Sequence, residues 1–271
     1  MTRYIATGDA MTACTVSGDG PPLLLLHGAE ASRQMFDDIT PHLASRFTVI
    51  AYDQRDCGET TSPPVPATLA QLALDAKALL AGLGIGRAHV FGSSFGGRVA
   101  QALAAGHPDC VDRLVLGSTW ALPSSLLALN PEGSRHIQEL RRGLPGSAHD
   151  LARVFFPEEF LVQRPALRDI FSRVQPRSER AERRSAAVAD TLDLPLSAIQ
   201  SPTLLLAGDS DQVVPARLTF DLANQIANSQ WVLLPGVGHA TCLQAPTDVA
   251  QAVIRFIDGH PESPRQGATQ P

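Results

Sequence analysis

The chain has 271 residues, 44% of them apolar, with 22 Lys and Arg against 27 Asp and Glu and a formal net charge of −5. That length holds one large domain or two small ones around a sizeable core. The acidic balance gives no electrostatic footprint for nucleic acid, and no stretch approaches the roughly 18 uninterrupted apolar residues of a membrane span, so neither partner is expected.

Residues 1–20 lack a basic start followed by an apolar core, so no secretory signal is expected. Cys14, Cys57, Cys110 and Cys242 are scattered without zinc-type spacing, which reads as free thiols in a reducing cytoplasm and gives no metal site. Residues 3–16 read as two short strands around Gly8-Asp9, an antiparallel hairpin at a sheet edge, with Gly18-Asp19-Gly20 as the next turn. Leu23 to Leu26 is apolar on both faces, as expected of a central parallel strand covered by helices on each side. A helical pattern through Met35, Phe36 and Ile39 follows, then a strand over 47–51 and a loop over 53–58.

Thr68 with Gln71 three residues later resembles a capping box, and Leu69, Leu72, Leu79, Leu80 and Leu83 form the apolar stripe of a helix stopping at Gly82-Gly84. A strand over 88–91, a helix over 95–105 and a strand over 113–116 continue the alternation, which points to a parallel sheet. Between Trp120 and Leu196 the alternation stops and amphipathic helical patterns take over, for example Leu167, Ile170, Phe171 and Val174. It resumes with a strand over 203–207, a helix over 216–226, a strand over 230–234 and a last helix from Pro246. The expected organisation is an α/β core over 1–119 and 199–259, a helical cap over 120–198, and a tail over 260–271 whose polar, Pro- and Gly-containing composition reads as disordered.

Between the apolar run at 88–91 and the helix that follows it lies Gly92-Ser93-Ser94-Phe95-Gly96, a G-x-S-x-G match. Alone the motif is short and equally describes a Gly/Ser loop; at a strand-to-helix junction it describes a sharp turn that holds a hydroxyl clear of the backbone. Ser94 is the candidate nucleophile. A neutral hydroxyl attacks poorly without a base, and of the eight histidines His239 lies in a glycine-loosened loop directly after a strand, where open α/β sheets place their sites. Asp209 and Asp211, after the preceding strand, are the two candidate orienting acids. Donors for a developing oxyanion are expected at the backbone N–H of Phe95 and, after the four-leucine strand, at that of Ala29.

Five segments in order carry a family resemblance: LLLLHGAEAS (23–32), YDQRDCGET (52–60), VFGSSFGGRVA (90–100), PTLLLAGDSDQVVP (202–215) and LPGVGHATCLQAP (234–246). The chain resembles the α/β-hydrolase superfamily in its capped, single-domain branch. The resemblance implies an eight-stranded, mostly parallel sheet with one antiparallel strand, a Ser94–Asp211–His239 triad in which Asp211 is preferred to Asp209, and no cofactor or metal. The implied activity is cleavage of a small carboxylic ester or lactone through an acyl-enzyme. Two alternatives use the same scaffold: a carbon–carbon bond hydrolase, against which Ser93 and Ala240 stand where Asn and Trp are common, and a non-catalytic ligand-binding protein. Serine rather than aspartate at 94 argues against the dehalogenase and epoxide hydrolase branches.

Other residues carry narrower expectations. Asp56 stands where the family has glycine, so a different local backbone is expected there, with Asp53 and Arg55 making loop hydrogen bonds. Glu30 stands where perhydrolases carry proline, and is read either as a contact for a polar substrate group or water or as an exposed carboxylate. The segment 120–198 holds 11 Arg against 10 acidic residues; one arginine could clamp a substrate carboxylate while most pair with nearby acids on solvated faces. Phe155, Phe156, Phe160 and Phe171 are candidate pocket walls or cap core.

Overall fold

The computed structural model describes residues 1–172 and 178–259. In chain order these form β1 (Arg3–Thr7), β2 (Ala10–Ser17), β3 (Pro22–Leu26), α1 (Thr40–Leu43), β4 (Thr48–Tyr52), α2 (Leu69–Gly82), β5 (Ala88–Ser93), α3 (Phe95–Gly106) and β6 (Val111–Gly117). Six helices follow among the described residues: α4 (Leu126–Leu129), α5 (Pro131–Arg142), α6 (Ala148–Phe155), α7 (Glu158–Gln163), α8 (Ala166–Ser172) and α9 (Glu179–Ala189). The alternation then returns with β7 (Thr203–Gly208), α10 (Ala216–Phe220), β8 (Ser229–Leu234), α11 (Thr241–Gln244) and α12 (Pro246–Ile257). The tail over 260–271 and Val174 lie outside the described residues.

The eight strands form one sheet in the order β1-β2-β4-β3-β5-β6-β7-β8. Pairing is antiparallel for β1·β2 and β2·β4 and parallel elsewhere, so β2 alone runs against the others. The central strands are buried on both faces, which is why they read as unbroken apolar runs. Leu24, Leu26, Val90, Leu114, Leu116 and Leu205 point into a core shared with α2 and α3, while Leu23, Leu25, Phe91, Val115, Leu204 and Leu206 point into a second core closed by α1 and α12. Successive residues of one strand thus serve opposite layers, as the pleat requires.

Local signals explain the element ends. Thr68 Oγ1 accepts from Gln71 N at 3.1 Å and starts α2; Gly84, at φ 76°, ends it in the left-handed region that glycine enters without a Cβ clash. The pattern at 35–39 forms a short 3-10 turn (Arg33–Phe36) followed by α1 rather than one helix; Pro41, in the first turn of α1, has no N–H with which to carry an i→i−4 ladder on from the preceding turn. The helix expected over 216–226 likewise breaks into α10 and a 3-10 turn (Asp221–Asn224).

Arg98 on α3 ties the helical segment to the sheet. It is fully buried, donating to Leu122 O at 2.6 Å and Asp190 O at 2.8 Å, with its guanidinium 5.1 Å from the Trp120 ring centroid. Burial pulls its pKa down to about 10, so it stays charged at neutral pH. The two carbonyls flank the start and the end of the inserted segment, which links both of its ends to one buried cation. No helix among the described residues is long and apolar enough to cross a membrane.

Candidate active site

Strands β3 to β8 run parallel, so the loops after them emerge at one edge. β3 has β4 on one side and β5 on the other, and the reversal of winding at that point opens a crevice at the carboxyl ends. The loop after β3 carries Ala29, that after β4 carries 53–60, Ser94 follows β5, Asp211 follows β7, and His239 follows β8.

Ser94 sits between β5 and α3 with φ 55° and ψ −119°, a left-handed conformation costing a side-chain-bearing residue about 1–3 kcal/mol. The strain is held by packing. Its N–H donates to Gly117 O at 2.8 Å, and its carbonyl accepts from Thr119 Oγ1 at 2.7 Å. The flanking glycines serve close approach: a Cβ on Gly92 would lie 2.3 Å from Gly96 O, and one on Gly96 2.1 Å from Leu26 O. The motif therefore needs small residues at its ends and places the unusual dihedral on the serine itself.

His239 Nε2 lies 3.0 Å from Ser94 Oγ, and His239 Nδ1 lies 2.9 Å from Asp211 Oδ2. The Asp211 side chain is fully buried and that of His239 is 10% exposed. A carboxylate only accepts, so Nδ1 carries a proton, and in the neutral ring Nε2 is left to accept from the serine hydroxyl. Asp211 Oδ1 takes Val213 N at 2.9 Å and Val214 N at 2.8 Å, which fixes the carboxylate plane. Asp209 is exposed and accepts from Gly236 N at 2.8 Å, bracing the histidine loop instead. Gln244, which sequence reasoning passed over, clamps the same loop by accepting from Gly238 N at 2.8 Å and donating to Gly236 O at 2.7 Å. His239 N donates to Phe155 O at 2.8 Å, and the Phe155 ring stands edge-on to the imidazole at 5.7 Å.

Phe95 is the first residue of α3, where no carbonyl of the helix's own can take the N–H. The loop after β3 is oriented by His27. Its Nδ1 donates to Gly28 O at 2.8 Å while Nε2 accepts from Gln54 N at 3.1 Å. In a planar trans peptide the N–H points away from the carbonyl, so anchoring Gly28 O turns the Ala29 N–H to the opposite side. A Cβ on Gly28 would lie 3.5 Å from Ser94 Cβ, which brings this loop against the serine.

Complete burial pushes His27 down to about 4 from its ordinary 6.5. Between those values the unfolded chain binds a proton that the folded chain refuses, so the full stability present above pH 6.5 is lost as pH falls toward 4, by about 2 kcal/mol at pH 5. Urea midpoints measured at pH 7.5 and 5.0 are expected to drop further in the wild-type protein than in His27→Asn. An equal drop in the two would show that His27 does not bear this load.

In the 53–60 loop Asp56 has φ 58°, in the left-handed region that glycine enters without a Cβ clash. Its cost, about 1 kcal/mol, is set against an ion pair with Arg183, whose Nη2 lies 2.7 Å from Asp56 Oδ1. Asp53 accepts from Arg33 N and Glu59 N, both at 2.8 Å, and pairs with the Arg33 guanidinium. Arg55 pairs with Asp75 and Asp9. Both Asp53 and Arg55 are thus engaged in holding the loop.

Glu30 is an exposed carboxylate, as one of the two readings had it, and it forms a two-pronged pair with Arg141 of α5, one prong being Nη2–Oε2 at 2.7 Å. Phe155 meets His239, whereas Phe156 stacks on Phe160 at 5.4 Å and meets Phe171 edge-on at 6.3 Å, within a small core with Ala152 and Leu161. Cys57 and Cys242 are buried free thiols, pushed up by burial to about 11 and about 12 respectively. Among the described residues no group of three or more His, Cys, Asp or Glu stands together in a way that could hold a metal.

Comparison with known proteins identifies the fold. A family model described as alpha/beta hydrolase fold matches residues 21–246. The protein named "Putative carbamate hydrolase RutD" from Caulobacter sp. (strain K31) is 28% identical over 250 residues, covering 90% of this chain and 92% of its own. A hydrolase structure from Pseudomonas aeruginosa PA01 is similar with a TM-score of 0.77 at 30% identity, over 94% of this chain and 98% of its own. A thermophilic esterase from Thermogutta terrifontis is similar with a TM-score of 0.80 at 28% identity, over 95% and 98%.

Proposed function

The chain belongs to the alpha/beta hydrolase fold family, and from that premise we propose that it is a serine hydrolase that cleaves a small carboxylic ester or lactone through an acyl-enzyme. The observation that carries the reading is the relay of hydrogen bonds from Ser94 Oγ to His239 Nε2 at 3.0 Å and from His239 Nδ1 to Asp211 Oδ2 at 2.9 Å.

Ser94 Oγ attacks the substrate carbonyl as its proton passes to His239 Nε2, and Asp211 holds the ring and stabilises the cation that forms. The carbonyl oxygen gains negative charge, which the N–H groups of Ala29 and Phe95 receive; such donors contribute about 2.7–4 kcal/mol each in the transition state. His239 returns the proton to the leaving alcohol as the carbon–oxygen bond breaks. It then deprotonates a water that attacks the acyl-serine, and the proton moves back to Ser94 Oγ as the acid leaves. The helical segment 120–198 acts as the cap that walls the substrate, with Phe155 over the imidazole. None of these steps calls for a metal or an organic cofactor.

Covalent labelling tests the reading. A fluorophosphonate is expected to modify the protein once, at Ser94, and a panel of phenyl esters, lactones and aryl carbamates of graded size is expected to show turnover on short esters or lactones. Absence of labelling would favour a binding protein on this scaffold. Labelling with turnover confined to carbamates or to carbon–carbon bonds would keep the nucleophile and overturn the substrate class.

A further inference from the structure

The turn over 28–31, which carries the Ala29 N–H, is held differently on its two sides. On the first, Gly28 O takes His27 Nδ1 at 2.8 Å. The turn's own bond, from Ala31 N to Gly28 O, is long at 3.3 Å and adds little. A cavity of about 10 Å3 lies against Gly28, Ala29 and Phe95, so packing around the turn is incomplete and does not by itself immobilise it. On the second side the restraint is a side chain that reaches to the cap: Glu30, the residue after Ala29, takes both arms of the Arg141 guanidinium. Such a fork fixes direction as well as distance, and Ala29 stands between two anchored neighbours.

Arg141 is presented by a helix with a firm seat. α5 starts at Asn130, which accepts from Gly133 N and donates to Val213 O, both at 3.3 Å. Ile137 and Leu140 pack against a cluster that contains Trp120, Val154, Val213, Val214 and Leu218. Val213 and Val214 are the residues whose N–H groups fix the Asp211 carboxylate. The end of the helix is closed by Gly143 N donating to Glu139 O at 3.1 Å and by the Ser147 hydroxyl donating to Leu140 O. Helix α5 therefore rests on the loop of the triad acid while its last turn grips the turn over 28–31, which ties the positions of the two to one rigid element.

We infer that Glu30 and Arg141 are positioning residues that act through Ala29, holding its N–H where the oxyanion forms; the inference rests on the reading of Ser94 as nucleophile and of Ala29 N–H as an oxyanion donor. The two side chains are 59% and 39% exposed, so their pair contributes little to folding stability. Its effect falls on the chemistry. Negative charge on the substrate oxygen develops only in the transition state, so an N–H that has lost its direction lowers kcat and leaves KM in place. A pair that merely closed the cap over the substrate would act on KM instead.

The experiment compares the wild-type protein with Glu30→Ala, Arg141→Ala, the double variant and Arg141→Lys, using phenyl acetate turnover and the rate at which a fluorophosphonate modifies Ser94. Each single alanine variant is expected to lower kcat about 10-fold or more with KM within about two-fold of wild type, less than outright removal of a donor because the N–H is misdirected and not lost. The labelling rate is expected to fall by a similar factor, since the phosphonyl oxygen calls on the same donors. The double variant is expected to be no worse than either single one, as two groups acting as a unit require, and Arg141→Lys to recover part of the loss as a point charge without the fork. Urea midpoints are expected to stay at the wild-type value throughout. Rates within about two-fold of wild type, a loss carried by KM, a double variant whose loss is the product of the single ones, or a urea midpoint that falls with the rate would overturn the inference while leaving a labelled Ser94 as nucleophile. A wild-type protein that is not labelled would refute the nucleophile and this inference with it.

Discussion

Replacing Ser94 with alanine is expected to lower ester turnover by at least about 1,000-fold while the protein keeps its fold, on the scale known for loss of an activated nucleophile. The separation of activity from stability follows from how the residue is held. Its left-handed backbone is fixed by Gly117 O, Thr119 Oγ1 and the Gly92–Gly96 approach, all of which alanine retains. The hydroxyl itself bonds His239, and removing it leaves a ring nitrogen that nearby water can satisfy, a stability change of about 1 kcal/mol or less. Steady-state rates beside urea midpoints measure the two quantities. A variant within a few-fold of the wild-type rate would end the assignment of Ser94.

Asp211→Asn is expected to cost about 10,000-fold in kcat, more than its near-isosteric shape suggests, as with the equivalent change in other serine triads. The structure supplies the reason. Oδ1 is the acceptor for both Val213 N and Val214 N, so the amide oxygen must occupy that position and the NH2 group must face His239 Nδ1. Nδ1 then has to accept, the ring carries its proton on Nε2, and the nitrogen facing Ser94 becomes a donor unable to take the serine proton. Asp209→Asn provides the contrast. It keeps an oxygen for Gly236 N and is expected to stay within a few-fold of the wild-type rate. Equal losses in the two variants would move the orienting role away from Asp211.

The organisation of the sheet was legible because its signals are local. Four leucines in a row, the capping pair Thr68 and Gln71, and glycines at fixed offsets around Ser94 each constrain a few neighbouring residues. Where elements came out shorter than their patterns, as at 33–43 and 216–224, backbone chemistry overrode periodicity. Pro41 lacks the N–H that would continue the preceding turn's hydrogen-bond ladder into α1, and the apolar stripe over 216–226 does not say whether the coil is α or 3-10.

From the amino-acid sequence by itself, period and turn chemistry read as an α/β core with Ser94 and His239 just after strands, since those signals lie in short windows, and the family resemblance carried by five short segments implied the eight-stranded hydrolase fold. By residue type and position alone Asp209 and Asp211 were equivalent, the family resemblance preferred Asp211, and the folded loop brings Asp211 to the imidazole while Asp209 holds Gly236 N. Tertiary structure alone decided that Glu30 is held by Arg141 and that Asp56 takes a left-handed backbone under Arg183. Those pairings join side chains more than a hundred positions apart, and a long side chain's choice of partner depends on which surfaces the packed core brings within reach.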